Sequence, residues 1–144
     1  MSITSCYDAL RDVIAAGISA KSKYTGIPNQ APQRLPAVVV KWANTEPASQ
    51  SFSGIVGAKY ARNAMRRTHT FEVVVVIGAS GQIKDEDIAA RATAQSVLDA
   101  IDDDTELGGA CVFCLVNNIS SGLLEWDQQA MFTVRANVSV MEDF

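Results

Sequence analysis

The sequence has few of the residues that mark secreted, membrane or metal-dependent proteins. Among its 144 residues are three cysteines, an odd number, and one histidine, so neither a small disulfide scaffold nor a site that needs two histidines is expected. Apolar runs such as residues 73–77 are far shorter than the roughly 20 residues of a membrane-spanning helix. Residues 1–20 carry Asp8, Arg11 and Asp12 in a helical pattern, so no signal peptide is expected. These features favour a protein made in a reducing cytoplasm, without membrane contact.

What the sequence does contain is enough apolar material for one core. Hydrophobic residues make up 48% of the chain, and a domain of this length buries roughly two thirds of the surface that its unfolded chain exposes. We therefore expect one domain over residues 1–144.

The net charge of −4 is unevenly distributed. Residues 47–71 contain no acid, whereas residues 85–106 contain eight acids and a single base. The basic residues of the first segment are Lys59, Arg62, Arg66 and Arg67. Because an acidic segment repels phosphate, nonspecific binding of duplex DNA by the whole protein is disfavoured. The pattern instead favours a contact between the basic segment of one copy and the acidic segment of another.

Periodicity predicts an α+β fold with the element order helix–strand–strand–helix–strand–strand. Apolar residues at helical spacing predict a first helix over residues 5–19, and a second stripe from Ala90 to Ile101 follows a helix start at residue 85. Strands are predicted at residues 37–42, 68–77, 111–116 and 132–140, and residues 117–126 carry turn chemistry. We expect a four-stranded, mainly antiparallel sheet with both helices on one face.

Residues 44–67 follow neither the helical nor the strand period. A stretch of this length without structure is unusual inside a compact domain and is often functional or disordered. It is interpreted as a protruding arm or long hairpin between the first two strands. A solvated loop, an inter-subunit contact and an arm that faces DNA all remain open for it.

Two of the cysteines and the histidine are candidates for sites of chemistry. Cys111 and Cys114 form a C-x-x-C pattern, but they are predicted to lie in a strand, where residues three apart point to opposite faces. Buried structural thiols are therefore expected rather than a redox or zinc site. His69 begins a strand without a nucleophile motif nearby, so an exposed or hydrogen-bonded strand histidine is expected.

The acidic run after the second helix invites a metal interpretation, but it lacks the ligand spacing and central glycine of a calcium loop. A solvated loop or an electrostatic contact fits it better. The acids concerned are Asp102, Asp103, Asp104 and Glu106.

The glycines of residues 78–81 do not have the spacing of a phosphate loop. No catalytic residue, metal or cofactor is predicted, and the chain is not expected to be an enzyme.

Four stretches together resemble the tail terminator and tail-completion proteins of long-tailed bacteriophages. The resemblance covers most of the chain except residues 44–67. It lies in the opening helix followed by Ile27-Pro28 and residues 35–40, in the strand 69–76, in residues 94–102 leading through Leu107-Gly108-Gly109, and in the closing strand 132–138.

This resemblance implies a structural virion subunit that is made in the host cytoplasm and forms a closed ring, typically a hexamer. Such a ring caps the tail tube, contacts the tail tube protein and docks to the head–tail connector protein, and DNA passes through its lumen. Ring contacts are heterologous, one patch meeting a different patch of the neighbour. We therefore expect Lys59, Arg62, Arg66 and Arg67 to reach the neighbour's residues 102–106 or to project into the lumen.

Two alternatives come from other classes of protein. A different neck or connector ring protein would share the properties above and differ in its position within the virion. A small ferredoxin-like binding module would be a monomer.

Overall fold

The computed structural model describes residues 3–25, 28, 32, 34–47, 66–79, 85–126 and 128–143. These residues form an α+β fold of two α-helices and one five-stranded mixed sheet. In chain order the elements are α1 (Ile3–Gly17), β1 (Ser22–Thr25), β2 (Ala37–Pro47), β3 (Arg66–Ala79), α2 (Glu86–Asp103), β4 (Phe113–Trp126) and β5 (Gln129–Asp143). A short 3₁₀ helix, Leu107–Gly109, joins α2 to β4.

Both helices form where the apolar spacing predicts them. α1 buries Cys6, Leu10 and Ile14, which are four residues apart and therefore lie on one face. α2 begins after Asp85, whose Oδ1 accepts a hydrogen bond from the Ile88 backbone nitrogen at 3.1 Å. This cap satisfies one of the free donors of the first turn.

The sheet has the strand order β1–β2–β3–β5–β4. β1 pairs with β2 in parallel, and the other three pairs are antiparallel. The prediction of four strands was therefore wrong by one. β1 has only four residues, Ser22–Thr25, with no apolar run, and backbone pairing to Ala37–Val40 makes it a strand.

The prediction of a turn over residues 117–126 was also wrong. β4 continues to Trp126, and the asparagines that resemble a turn lie at a register shift between Val116 and Asn118. Such a β-bulge accommodates one extra residue without ending the strand. The chain reverses between Trp126 and Gln129, where Gln128 has a positive φ of 61°.

Both ends of the segment predicted as an arm, residues 44–67, belong to strands. Residues 44–47 belong to β2 and residues 66–67 to β3, and the two strands remain paired from Asn44↔Thr70 to Pro47↔Arg67. Residues 48–65 lie outside the described residues. The sheet thus extends further toward the basic segment than the sequence pattern indicates.

Both helices pack on the same face of the sheet, as predicted. The main core joins the buried residues of α1 and α2 to one side of the strands, including Phe71, Val73 and Val75. The alternate valines, Val74 and Val76, belong to a smaller cluster on the opposite face. We call these the helix face and the open face of the sheet.

Candidate functional site

The predicted contact residues that the structure describes lie near one end of the sheet, basic residues in β3 and acidic residues around the end of α2. Arg67 is exposed at the start of β3, and the Arg66 backbone pairs with that of Asp143. Lys59 and Arg62 lie outside the described residues. On the acidic side, Asp102 and Asp103 are exposed in the last turn of α2, and Glu106 is exposed before the 3₁₀ helix.

Asp104 differs from the other acids because it has a structural role. It caps the C-terminus of α2, where its backbone N–H donates to the Ile101 carbonyl oxygen at 3.1 Å. Its Oδ1 also accepts from the Gly108 backbone nitrogen at 2.9 Å. Asp104 therefore stabilises the turn. Asp102, Asp103 and Glu106 have exposed side chains that can contact a partner.

A short path of backbone pairs connects the basic and acidic groups within one molecule. Arg67 is the cross-strand partner of Glu142, and the preceding residue of β5, Met141, accepts a hydrogen bond from the Val112 nitrogen at 2.8 Å. The Cys111 nitrogen in turn donates to the Glu106 carbonyl oxygen at 3.2 Å. The basic start of β3 and the acidic end of α2 are therefore at the same end of the sheet.

β4 forms one edge of the sheet, and within the described part of the chain no strand pairs with its outer side. It is 14 residues long, and it exposes Phe113, Leu115 and Leu123 by 46%, 51% and 56%. Phe113 and Leu115 lie on the open face because Cys114 between them is buried on the helix face. A long, apolar strand edge is a ready site for pairing with another chain.

The open face also carries a shallow groove of about 300 Å³. Apolar side chains line much of it, and charged groups complete its lining. The lining residues are Val39, Lys41, Glu72, Val74, Leu124, Glu125 and Trp126.

Under the N-terminal half of α1, three side chains from distant parts of the chain form a buried polar group that we call the Cys6–His69–Glu142 cluster. His69 Nε2 lies 2.7 Å from Glu142 Oε1, and Cys6 Sγ lies 3.9 Å from Glu142 Oε2. Cys6 and His69 are fully buried, and Glu142 is 3% exposed. α1, β3 and β5 each contribute one residue.

A hydrogen-bonded chain extends from this cluster to the surface. His69 Nδ1 lies 2.7 Å from Thr45 Oγ1, which accepts a hydrogen bond from Trp42 Nε1 at 3.0 Å. With Glu142 ionised, one consistent arrangement has His69 Nε2–H donating to the carboxylate and the Thr45 hydroxyl donating to Nδ1. Among the described residues every buried side-chain nitrogen and oxygen has a partner, so the cluster is tolerated in the core.

Burial dominates the chemistry of the three thiols. It raises the pKa of Cys6 from 9.0 to about 11, with a further contribution from the negative charge of Glu142. Burial likewise raises the pKa of Cys111 to about 11 and that of Cys114 to about 12. All three are free thiols, and thiols held in the protonated form are poor nucleophiles.

The structure corrects the predicted placement of the C-x-x-C pair. Cys111 precedes β4, which begins at Phe113, so the alternation of a strand does not apply between the two thiols. Both side chains are buried in the helix-face core, and Cys111 Sγ contacts the Thr105 carbonyl oxygen at 3.6 Å. The expectation that both thiols are buried is confirmed.

His69 is a hydrogen-bonded strand histidine, one of the two environments expected for it, but the cluster around it was missed. Its members are separated by up to 136 positions in the sequence. One signal was present: the alternation of Phe132 to Val140 places Glu142 on the same face two residues later. An acid at a core-facing strand position needs a buried partner, and His69 supplies it.

Among the described helices, none has both the length and the apolar character needed to cross a membrane. No protein-family model matches the chain, and no curated protein matches it.

Proposed function

We propose that this protein is a structural virion subunit whose copies form a ring that terminates the phage tail tube and docks to the head–tail connector. The observation that carries the proposal is the pair of edge strands, β1 and β4, because no described strand pairs with the outer side of either one. Assembly through these edges requires no catalytic site.

The directions of the two edge strands suit a ring. Following the pairings across the sheet, β1 and β4 run in opposite directions. If copies stand side by side around an axis parallel to the strands, β4 of one copy meets β1 of the next in antiparallel orientation. Such a contact joins two different patches, as a cyclic ring requires, and it covers the edge that is otherwise open.

The charge distribution supports the same arrangement. Arg67 and the exposed acids Asp102, Asp103 and Glu106 share one end of the sheet, so in such a ring they lie at the same height along the axis. Arg67 of one copy can then approach the acidic group of its neighbour. Complementary charges of this kind select the partner and its orientation more than they add affinity.

A neck or connector ring protein is the second candidate, because free sheet edges serve any ring in the tail or neck. Position separates the two: a terminator contacts the tail tube protein on one side and the connector protein on the other. Labelling the protein in intact virions and imaging them by electron microscopy distinguishes these positions.

The first test is the mass of the purified protein by light scattering over a range of concentrations. We expect a discrete species of about six copies. Leu115→Lys on the open edge should reduce it to smaller species, because a charge at the strand edge opposes pairing. Ile88→Lys is the matched control, since Ile88 is 58% exposed on the helix α2 and not on an edge strand.

A strict monomer at every concentration would contradict assembly through the free edges and favour the binding module. An oligomer that is lost equally in Leu115→Lys and Ile88→Lys would place the interface elsewhere.

A further inference from the structure

We propose that the Cys6–His69–Glu142 cluster is a binding site for a divalent transition metal of the zinc type. The proposal is independent of ring assembly, since it concerns a buried group on the helix face.

The donor atoms fit such an ion in type and in spacing. A thiol sulfur, an imidazole nitrogen and a carboxylate oxygen are the ligands that zinc uses in proteins, whereas calcium and magnesium prefer oxygen alone. The three potential ligand atoms all lie within 4.8 Å of one another. Ligands of a tetrahedral zinc ion are about 3.3 to 3.8 Å apart given its usual bond lengths. His69 Nε2 lies 2.7 Å from Glu142 Oε1 and Cys6 Sγ lies 3.9 Å from Glu142 Oε2, one on either side of this range. No separation exceeds 4.8 Å, so shifts of about 1 Å bring the three ligands around one ion.

Charge balance also favours a dication. A Cys6 thiolate and a Glu142 carboxylate carry two negative charges, so the loaded group is electrically neutral in a part of the core where net charge is costly. Within the described part of the chain, these two residues contact the Ala110 carbonyl oxygen, His69 and each other.

Metal binding exchanges one proton of the cluster for one metal ion. The Cys6 S–H bond breaks and its proton leaves to solvent as the metal–sulfur bond forms. The His69 proton moves from Nε2 to Nδ1, which frees the Nε2 lone pair for the metal. Glu142 contributes its carboxylate oxygen, and water completes the coordination. Each metal ion therefore releases one proton from the cluster.

Thr45 can form a hydrogen bond with His69 in either tautomer. Its hydroxyl donates to a bare Nδ1 and accepts from a protonated one, so the 2.7 Å contact with His69 survives in both states. Histidine ligands commonly hold their second nitrogen by such an outer contact, which fixes the orientation of the ring. Trp42 holds Thr45 in turn.

The experiment titrates chelator-treated full-length protein with Co²⁺ and Zn²⁺. We expect one ion per chain, a near-ultraviolet thiolate-to-cobalt absorption band that Zn²⁺ abolishes by displacement, and a rise in melting temperature of roughly 5 to 10 °C at saturating Zn²⁺. Cys6→Ser and Glu142→Gln should each weaken binding by at least about tenfold.

The control is Cys114→Ser, a buried thiol outside the cluster, which should bind as the unaltered protein does. Circular dichroism establishes that each variant is folded. The cobalt spectrum of the unaltered protein keeps the test decisive even where a variant does not fold. Absence of saturable one-to-one binding, a bound cobalt ion without the thiolate band, or equal loss of binding in Cys114→Ser would each overturn the proposal.

Discussion

Gly17 of α1 lies so close to Ala100 of α2 that a Cβ atom built at Gly17 would be 2.5 Å from Ala100 Cβ. Cβ atoms in proteins do not come this close, and neither of these is the end of a flexible side chain. The last turn of α1 therefore packs directly against α2. The absence of a side chain at Gly17 allows this short distance between the two helices.

Gly17→Ala should destabilise the protein by about 1 to 3 kcal/mol, because the helices must separate to admit the methyl group. Urea unfolding measures the change. Gly122→Ala is the control, since a Cβ atom there meets nothing within 4 Å. Adding Ala100→Gly to Gly17→Ala should recover part of the loss as a coupling term; strict additivity of the two changes would contradict the contact.

Thr45→Val should cost about 1 to 3 kcal/mol, because it leaves a buried ring nitrogen of His69 without its partner. Valine keeps the shape and removes the hydroxyl. Thr70→Val is the matched change one residue from His69, on the other face of β3, and should alter stability by less than about 0.5 kcal/mol. Thermal or urea unfolding of the two variants compares them, and equal effects would show that the Thr45 hydroxyl contributes nothing specific.

The buried thiols predict a loss of stability at alkaline pH. Their pKa values are higher in the folded protein, at about 11 for Cys111 and about 12 for Cys114, than the ordinary value of 9.0. Above pH 9 the unfolded chain releases protons that the folded chain retains, so their stabilising contribution is full below pH 9 and disappears as the pH rises toward 11 to 12.

Urea unfolding at a series of pH values from 8 upward, within this window, measures that slope. Replacing Cys111 and Cys114 together by alanine should lower stability at neutral pH but make the alkaline decline shallower. A decline of unchanged steepness would assign it to other groups.

Charge reversal tests the contact between neighbouring subunits. Arg67→Glu and Asp103→Arg should each weaken the ring in low salt, and the two reversals combined should restore part of it, because opposite charges again meet across the interface. Sedimentation at low and high salt follows the fraction assembled. Lys41→Glu, on the open face, is the control for net charge. Rings that persist in both single variants, or in Arg66→Glu combined with Arg67→Glu, would contradict an inter-subunit role for these arginines.

Sequence patterns predicted the elements that have a strong internal period. The stripe of Cys6, Leu10 and Ile14 and the alternation through Phe132 to Val140 give α1 and β5 directly, since burial on one face imposes the spacing. These patterns also gave the α+β class and the placement of both helices on one face.

The missed parts depend on tertiary contacts that leave little local trace. β1 is a strand because β2 lies beside it, and Asn118 continues β4 because β5 pairs with both sides of the bulge. The Cys6–His69–Glu142 cluster needs the register of three elements at once. Local propensity cannot specify such a meeting, although the core-facing position of Glu142 pointed to one.

The central position of β5 constrains the order in which the sheet can form during synthesis. β5 follows the other four strands in sequence, yet it lies between β3 and β4. Until β5 leaves the ribosome, the valine-rich strand β3 lacks a pairing strand on one of its two sides. β4 likewise has no strand to pair with. During this stage the unpaired strand edges allow aggregation to compete with folding. The stage ends when β5 inserts between β3 and β4, a slow step because it forms non-local contacts. Chaperone demand during expression should fall once that strand is complete.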